Sequence, residues 1–128
     1  MKRIELIYPK LSYAIVGILF DVYNTLGPGY HEKNYQNAIK EELIRNKISF
    51  QEQVYIPIKF KGDKIGNYYL DFLIDNRIIL ELKRGERYYK KDFNQVYAYL
   101  QATDLKLGIL AIFASKNLYF KRILNINQ

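Results

Sequence analysis

With 128 residues, a formal charge of +7 and no cysteine, the chain excludes disulfide-stapled scaffolds and thiolate chemistry and favours polyanionic partners. That length predicts one domain spanning 1–128, with its folded core over about 11–124. No apolar run is long enough to cross a bilayer and no signal-peptide-like segment opens the chain, so a cytoplasmic protein is expected.

Leu11, Ile15, Ile18, Leu19, Val22 and Leu26 recur at helical spacing and predict an amphipathic helix across about Leu11–Thr25. Gly27-Pro28-Gly29 ends it. A second helix follows, with Tyr35, Ala38, Ile39 and Leu43 on one stripe and Glu32 in its first turn. A carboxylate there is favourable against the helix N-terminus whatever else it does. His31 is the only histidine, which leaves a zinc centre without a second imidazole. Phe50–Phe60 reads as the first strand, Val54, Ile56, Ile58 and Phe60 alternating with Tyr55, Pro57 and Lys59. Pro57 cannot donate to a ladder and argues for an edge strand or a bulge. Lys61-Gly62-Asp63-Lys64 then turns the chain.

Tyr68–Ile74 and Ile78–Lys83 are rich in aromatic and β-branched residues and are joined by Asp75-Asn76-Arg77, short enough for a hairpin. A two-residue turn would set Leu70 opposite Glu81 and put that carboxylate on the face of Leu70, Phe72 and Ile74. A three-residue loop, with Asn76 or Arg77 left-handed, gathers Leu70, Phe72, Ile74, Ile78, Leu80 and Leu82 on one apolar face. Tyr69, Asp71, Leu73, Ile79, Glu81 and Lys83 then share the other. Burial favours the three-residue loop, because it keeps charge out of the core. Asp71 then lies opposite Glu81, with Cβ atoms roughly 5 Å apart, and like charges so placed need compensation. A proton, a bridging Lys83 or a cation would supply it. Mg²⁺ suits the place, since it takes one or two carboxylates plus substrate phosphate. The plainer reading is a solvated Asp–Lys–Glu cluster. Leu73 and Ile79 on the charged face call for a partial cover, and the first helix is the candidate.

Lys91–Ala102 predicts a third helix with Phe93, Val96, Tyr97 and Leu100 as its apolar stripe. Gln95 and Tyr99, four apart, share another face, either to hydrogen-bond a phosphate or as half-exposed helix residues. Ahead of this helix, Arg84, Arg87, Tyr88, Lys90 and Lys91 form a basic, aromatic loop suited to a nucleic-acid backbone. Lys106–Phe113 is nearly all apolar and reads as a buried central strand. After the Ala114–Asn117 turn, Leu118–Leu124 supplies the last strand.

Gly29-Tyr30-His31-Glu32-Lys33-Asn34-Tyr35 matches the G-x-x-E-x-x-Y pattern, and the chain from about Leu11 to Arg122 resembles the GxxExxY proteins, compact members of the PD-(D/E)XK nuclease superfamily. The resemblance implies an α/β, single-domain, restriction-endonuclease-like fold: a central mixed β-sheet flanked by helices in the order α-α-β-β-β-α-β-β. It implies that Asp71 and Glu81 are metal ligands for Mg²⁺ or Mn²⁺, that Glu32 approaches the metal, and that Lys83 is catalytic. It also matches Gln95 and Tyr99 to a Gln-x-x-x-Tyr element. Leu70 stands where such nucleases carry proline.

Three function classes follow. The first is a metal-dependent nuclease, with DNA favoured over RNA as its substrate. The second is a catalytically silent nuclease-fold module that binds nucleic acid or a partner protein; a homo-oligomer would follow if the edge strand near Pro57 or the last strand pairs between chains. The third is a glycosidase-like hydrolase, disfavoured because apposed Asp71 and Glu81 stand too close for inverting geometry. Retention of both carboxylates and Lys83 favours the first.

Overall fold

The computed structural model describes residues 7–126. Helices α1 (Pro9–Leu26) and α2 (Glu32–Arg45) precede strands β1 (Phe50–Phe60), β2 (Asp63–Ile74) and β3 (Ile78–Arg84). Helix α3 (Lys90–Thr103) then leads to β4 (Leu107–Phe113) and β5 (Leu118–Leu124). The strands form one sheet in the order β1-β2-β3-β4-β5, antiparallel except for the parallel pair β3–β4. Pro57 argues for an edge strand or a bulge; β1 is an edge strand, and its register shifts by one residue between Ile58 and Lys59. β4 is interior and buried throughout, though β3 is the middle strand.

The β2–β3 hairpin adopts the three-residue register, with Ile74 opposite Ile78 and Phe72 opposite Leu80. Asp75 and Asn76 are both left-handed (φ 53° each), and Arg77 N–H donates to the Ile74 carbonyl at 3.0 Å. Asn76 was one of two candidates for that conformation; Asp75 joins it in place of Arg77. Asn and Asp tolerate this region because their short polar side chains can bond locally, and here Ser49, just before β1, donates its hydroxyl to Asp75 Oδ1 at 3.2 Å.

Two apolar layers sandwich the sheet. α1 and α2 lay Ile15, Leu19, Val22, Tyr35, Ile39 and Leu43 on Phe72, Ile74, Ile78, Leu80 and Leu82. α3 lays Val96, Tyr99 and Leu100 on the opposite face, against Leu70, Ile79, Leu110 and Ile112. The cover over Ile79 and Leu73 is therefore α3 and not α1. Parallel strands need a crossover, and α3, connecting β3 to β4, supplies it on the face α1 and α2 leave free. Within α3 the buried stripe includes Tyr99, whereas Tyr97, expected inside, is 41% exposed.

Close approach of α3 to the sheet depends on Gly108. A Cβ there would meet Val96 Cγ1 at 2.6 Å, and the β-branched valine in a helix has little rotamer freedom to yield. Gly108→Ala is expected to destabilise the fold by about 1–3 kcal/mol, read as a lower urea midpoint with an unchanged slope. An unaltered midpoint would show that α3 shifts freely on the sheet.

Leu70 departs from strict alternation. It packs with the α3 layer, while Phe72 packs with the α1–α2 layer. In β1 the same switch occurs across Gln53 (φ 51°): Phe50 lies with the first layer, Val54 and Ile56 with the second. A left-handed residue inside a strand re-aims its neighbours, and the residue paired in sequence register with Gln53 is Asp71. Asp71, half-buried, lies between Leu70 and Phe72 where the faces switch.

Candidate functional site

The ladder between β2 and β3 ends at Phe72 and Leu80, one residue short of Asp71 and Glu81. Beyond it the carboxylates replace main-chain partners. Asp71 N–H donates to Glu81 Oε1 at 2.7 Å, and Leu82 N–H donates to Asp71 Oδ2 at 2.9 Å. The expected direct cross-strand apposition becomes an opening between strands, held by two side chains. Asp71 Oδ1 also accepts from Gln36 Nε2 at 3.2 Å, and the nearby Gln53 side chain favours the charged form of the same carboxylate.

Glu81 is only 3% exposed, yet among the described residues neither carboxylate has an ion-pair partner within 4.0 Å. Burial, and then the Asp71 charge, push the Glu81 carboxyl up to about 9. Burial also raises Asp71, opposed by the Leu82 N–H and the Lys83 charge. The pair therefore holds a proton or needs positive charge. The atoms the pair offers are carboxylate oxygens, the ligand type hard divalent cations prefer, so the residues present fit such a cation. Among the described residues no three acidic, histidine or cysteine side chains gather closely enough to hold an ion by themselves. Two carboxylates with water and phosphate completing the shell is the Mg²⁺ arrangement.

Glu32, the first residue of α2, is half-buried and faces this opening electrostatically. Its carboxyl is raised by burial and then by Asp71, against the lowering charges of Lys83 and Arg84. Its position is fixed by its neighbours. Tyr35 is buried, stacks on Phe113 with centroids 4.3 Å apart, and donates its hydroxyl to the Gly27 carbonyl at 2.7 Å. His31 and Asn34 form a reciprocal capping box. Gly29, with φ 96°, takes a turn that a side chain would strain. The glycine and tyrosine of the motif thus act as braces for the glutamate between them.

From the other side α3 brings Tyr99 and Gln95. Burial raises the Tyr99 hydroxyl, followed by the Glu81 and Asp71 charges, while a hydrogen bond with Gln95 opposes the rise. Tyr99 is buried rather than half-exposed. Glu32, Lys83 and Tyr99 are thus coupled by charge to the Asp71–Glu81 pair, and Gln95 is linked to it through Tyr99. Arg84, Arg87, Lys90 and Lys91 are exposed along the segment that leaves β3 and enters α3. Tyr88 turns inward: its hydroxyl is buried without a partner among the described residues, and burial lifts it to about 12. Tyr89 is the exposed ring of that loop, with the Arg87 guanidinium 4.8 Å and the Lys91 ammonium 5.8 Å from its centroid. The loop is tied down where Glu86 accepts the Ser115 N–H at 2.9 Å.

Three residues of the site escaped the sequence reading. Gln36 sits one turn beyond Glu32, and that i, i+4 spacing, continued by Lys40 on Glu52 at 3.0 Å, was its available signal. Gln53 carried none, since its role depends on a left-handed conformation within a strand. Asp92, 7% exposed in the first turn of α3, adds negative charge felt by Glu32 and reads from sequence as an ordinary helix-start acid.

The fold is similar to that of SSO0001, with a TM-score of 0.55 and 18% identity, covering 94% of this chain and 59% of that one. It is also similar to an alkaline exonuclease (LHK-Exo) from Laribacter hongkongensis, with a TM-score of 0.54 and 11% identity, covering 96% and 73%. No curated protein sequence matches the chain. The described residues contain no helix long and apolar enough to cross a membrane. The sequence model of one family spans residues 9–123, all of the architecture from α1 into β5 with the carboxylate opening at its middle, and by that match the chain belongs to the PD-(D/E)XK nuclease superfamily.

Proposed function

We propose that the chain is a Mg²⁺- or Mn²⁺-dependent nuclease that hydrolyses phosphodiester bonds, with DNA favoured over RNA. The observation that carries the reading is buried Glu81 beside half-buried Asp71, both held by main-chain N–H groups and left without a paired cation among the described residues. Asp71 and Glu81 would hold the cation, with Glu32 near it. When bound, it supplies Lewis-acid stabilisation of charge on the phosphate. Lys83 places an ammonium against the same charge and against the attacking oxygen. Gln36 fixes the Asp71 carboxylate, Gln53 favours its charged form, and Gln95 with Tyr99 borders the substrate side. The exposed Arg84, Arg87, Lys90 and Lys91 bind the flanking backbone.

Labelled single-stranded and duplex DNA and RNA, incubated with purified protein and Mg²⁺ or Mn²⁺, test this directly. Cutting that stops with chelator supports it and identifies the substrate. Binding without cutting in any metal would leave a nuclease-fold binding module instead.

A further inference from the structure

Because β2 leaves β3 at Asp71 while its pairing with β1 continues to Phe60 and Asp63, residues 54–60 and 63–70 form a two-stranded ribbon extending beyond the sheet. Its inner side, Val54, Ile56, Tyr68 and Leu70, packs on α3, with the Tyr68 ring 4.5 Å from that of Tyr99. Its outer side carries exposed aromatic rings. There Tyr55 and Tyr69 face each other across the strands with centroids 5.6 Å apart, 43% and 56% exposed. The Lys64 ammonium lies 5.1 Å from the Tyr55 centroid. Toward the tip, Phe60 and Ile65 are exposed, and Lys61 sits 5.3 Å from the Phe60 ring.

We propose that the outer face of this ribbon, centred on Tyr55 and Tyr69, is a stacking platform for the bases of single-stranded nucleic acid running into the carboxylate opening. The inference deepens, and rests on, the nuclease reading above.

Three observations support it. First, exposed aromatic rings interleaved with Lys59, Lys61 and Lys64 combine a π-surface with positive charge, which single strands use and duplexes, whose bases are already stacked, cannot. Second, the platform is continuous with the site. Tyr69 is two residues from Asp71, about 7 Å along the strand, and Tyr55 is two from Gln53, which the β1–β2 register sets across from Asp71. Third, the charge disfavours the competing occupant, a second copy. A two-fold contact on this face would set lysines against their own equivalents, with Asp63 the one acid in the Lys59–Lys64 stretch.

The test uses the full chain in chelator, so that binding is read without cleavage. Labelled oligothymidine, oligouridine and a mixed-sequence duplex are titrated by fluorescence anisotropy. A Tyr55→Leu/Tyr69→Leu protein keeps the apolar strand character but removes both rings. It is expected to bind the single strands roughly 10- to 100-fold more weakly, with duplex affinity little changed. Tyr55→Phe/Tyr69→Phe, retaining the rings, is expected to bind as the parent does. The two oligomers show whether the platform separates DNA from RNA. Unchanged single-strand affinity in the Leu protein, or an equal loss on duplex, overturns the proposal. So does a dimer, seen by sedimentation, that the Leu substitutions dissolve without affecting strand binding. The two readings fail separately. Metal-dependent cutting with tyrosine-independent binding leaves the nuclease and removes the platform, whereas tyrosine-dependent binding without cutting in any metal does the reverse.

Discussion

Lys83→Ala is expected to lower metal-dependent cleavage by about 10²–10³-fold while leaving divalent-cation binding intact. Asp71→Asn is expected to abolish both. Their difference follows from what each side chain touches. Asp71 accepts from Gln36 and from Leu82 N–H, so its carboxylate is fixed, and its negative charge is what draws a cation to the opening. An amide at that place loses the charge, and its NH₂ group can face the Leu82 N–H with a donor where an acceptor stood. Lys83 lies two residues beyond Glu81 on the strand and is half-buried, and its charge is felt by Glu32, Asp71 and Glu81. In the resting protein it offsets their mutual repulsion; during hydrolysis the same ammonium meets the charge growing on the phosphate. Removing it costs transition-state stabilisation without removing a ligand. Calorimetric titration with Mn²⁺ beside single-turnover cleavage separates the two roles. If Lys83→Ala lost metal binding as completely as Asp71→Asn, the lysine would be a structural counter-charge. If it cut at the parent rate, the site would lie elsewhere.

How much of this could be read without coordinates differs residue by residue. The hairpin register was legible because only one of two pairings keeps Glu81 off the face of Phe72 and Ile74, and burial penalises the other heavily. Element order and type were legible for the same reason: long periodic runs such as Ile15–Val22 and Leu107–Phe113 leave little choice. The location of α3 was not. An amphipathic stripe says that a helix is covered on one side, not which face of a sheet covers it, and the parallel β3–β4 pair decided that. The face of Leu70 was misjudged because alternation presumes an unbroken strand, and the left-handed Gln53 breaks it opposite Asp71. The carboxylate bonds that end the ladder were equally hidden. A sequence pattern counts residues across a hairpin but cannot show where strands part. That parting makes the opening, so the most informative geometry of the site was the least visible in the chain.

In metal-free protein, Glu81→Gln is expected to raise stability at alkaline pH and to flatten its pH dependence. Burial holds the folded-state carboxyl of Glu81 at about 9, against 4.5 for the ordinary group. A raised folded value means that the folded state binds the proton more tightly than the unfolded state does. Its stabilising contribution is complete below about pH 4.5 and is lost as pH climbs toward about 9. Across that window one proton difference corresponds to roughly 1.4 kcal/mol of lost stability per pH unit. Asp71, also raised by burial, acts in the same direction. Glutamine stays neutral throughout and can still accept the Asp71 N–H through its amide oxygen, so the difference between parent and variant reads the linked titration of the Glu81–Asp71 pair. Urea midpoints of both proteins in chelator, taken from mildly acidic to alkaline pH, read the effect as curves that diverge upward in pH, the variant above. Mn²⁺ should reverse the order at the alkaline end, because a cation bound by the ionised pair stabilises only the parent by mass action. Parallel curves would mean that Glu81 ionises normally in the folded protein, with water or Lys83 already meeting its charge, and would remove the electrostatic case for a cation in the opening. Divergence in chelator that closes with Mn²⁺ would tie the cost of burying this carboxylate to the metal it is positioned to hold.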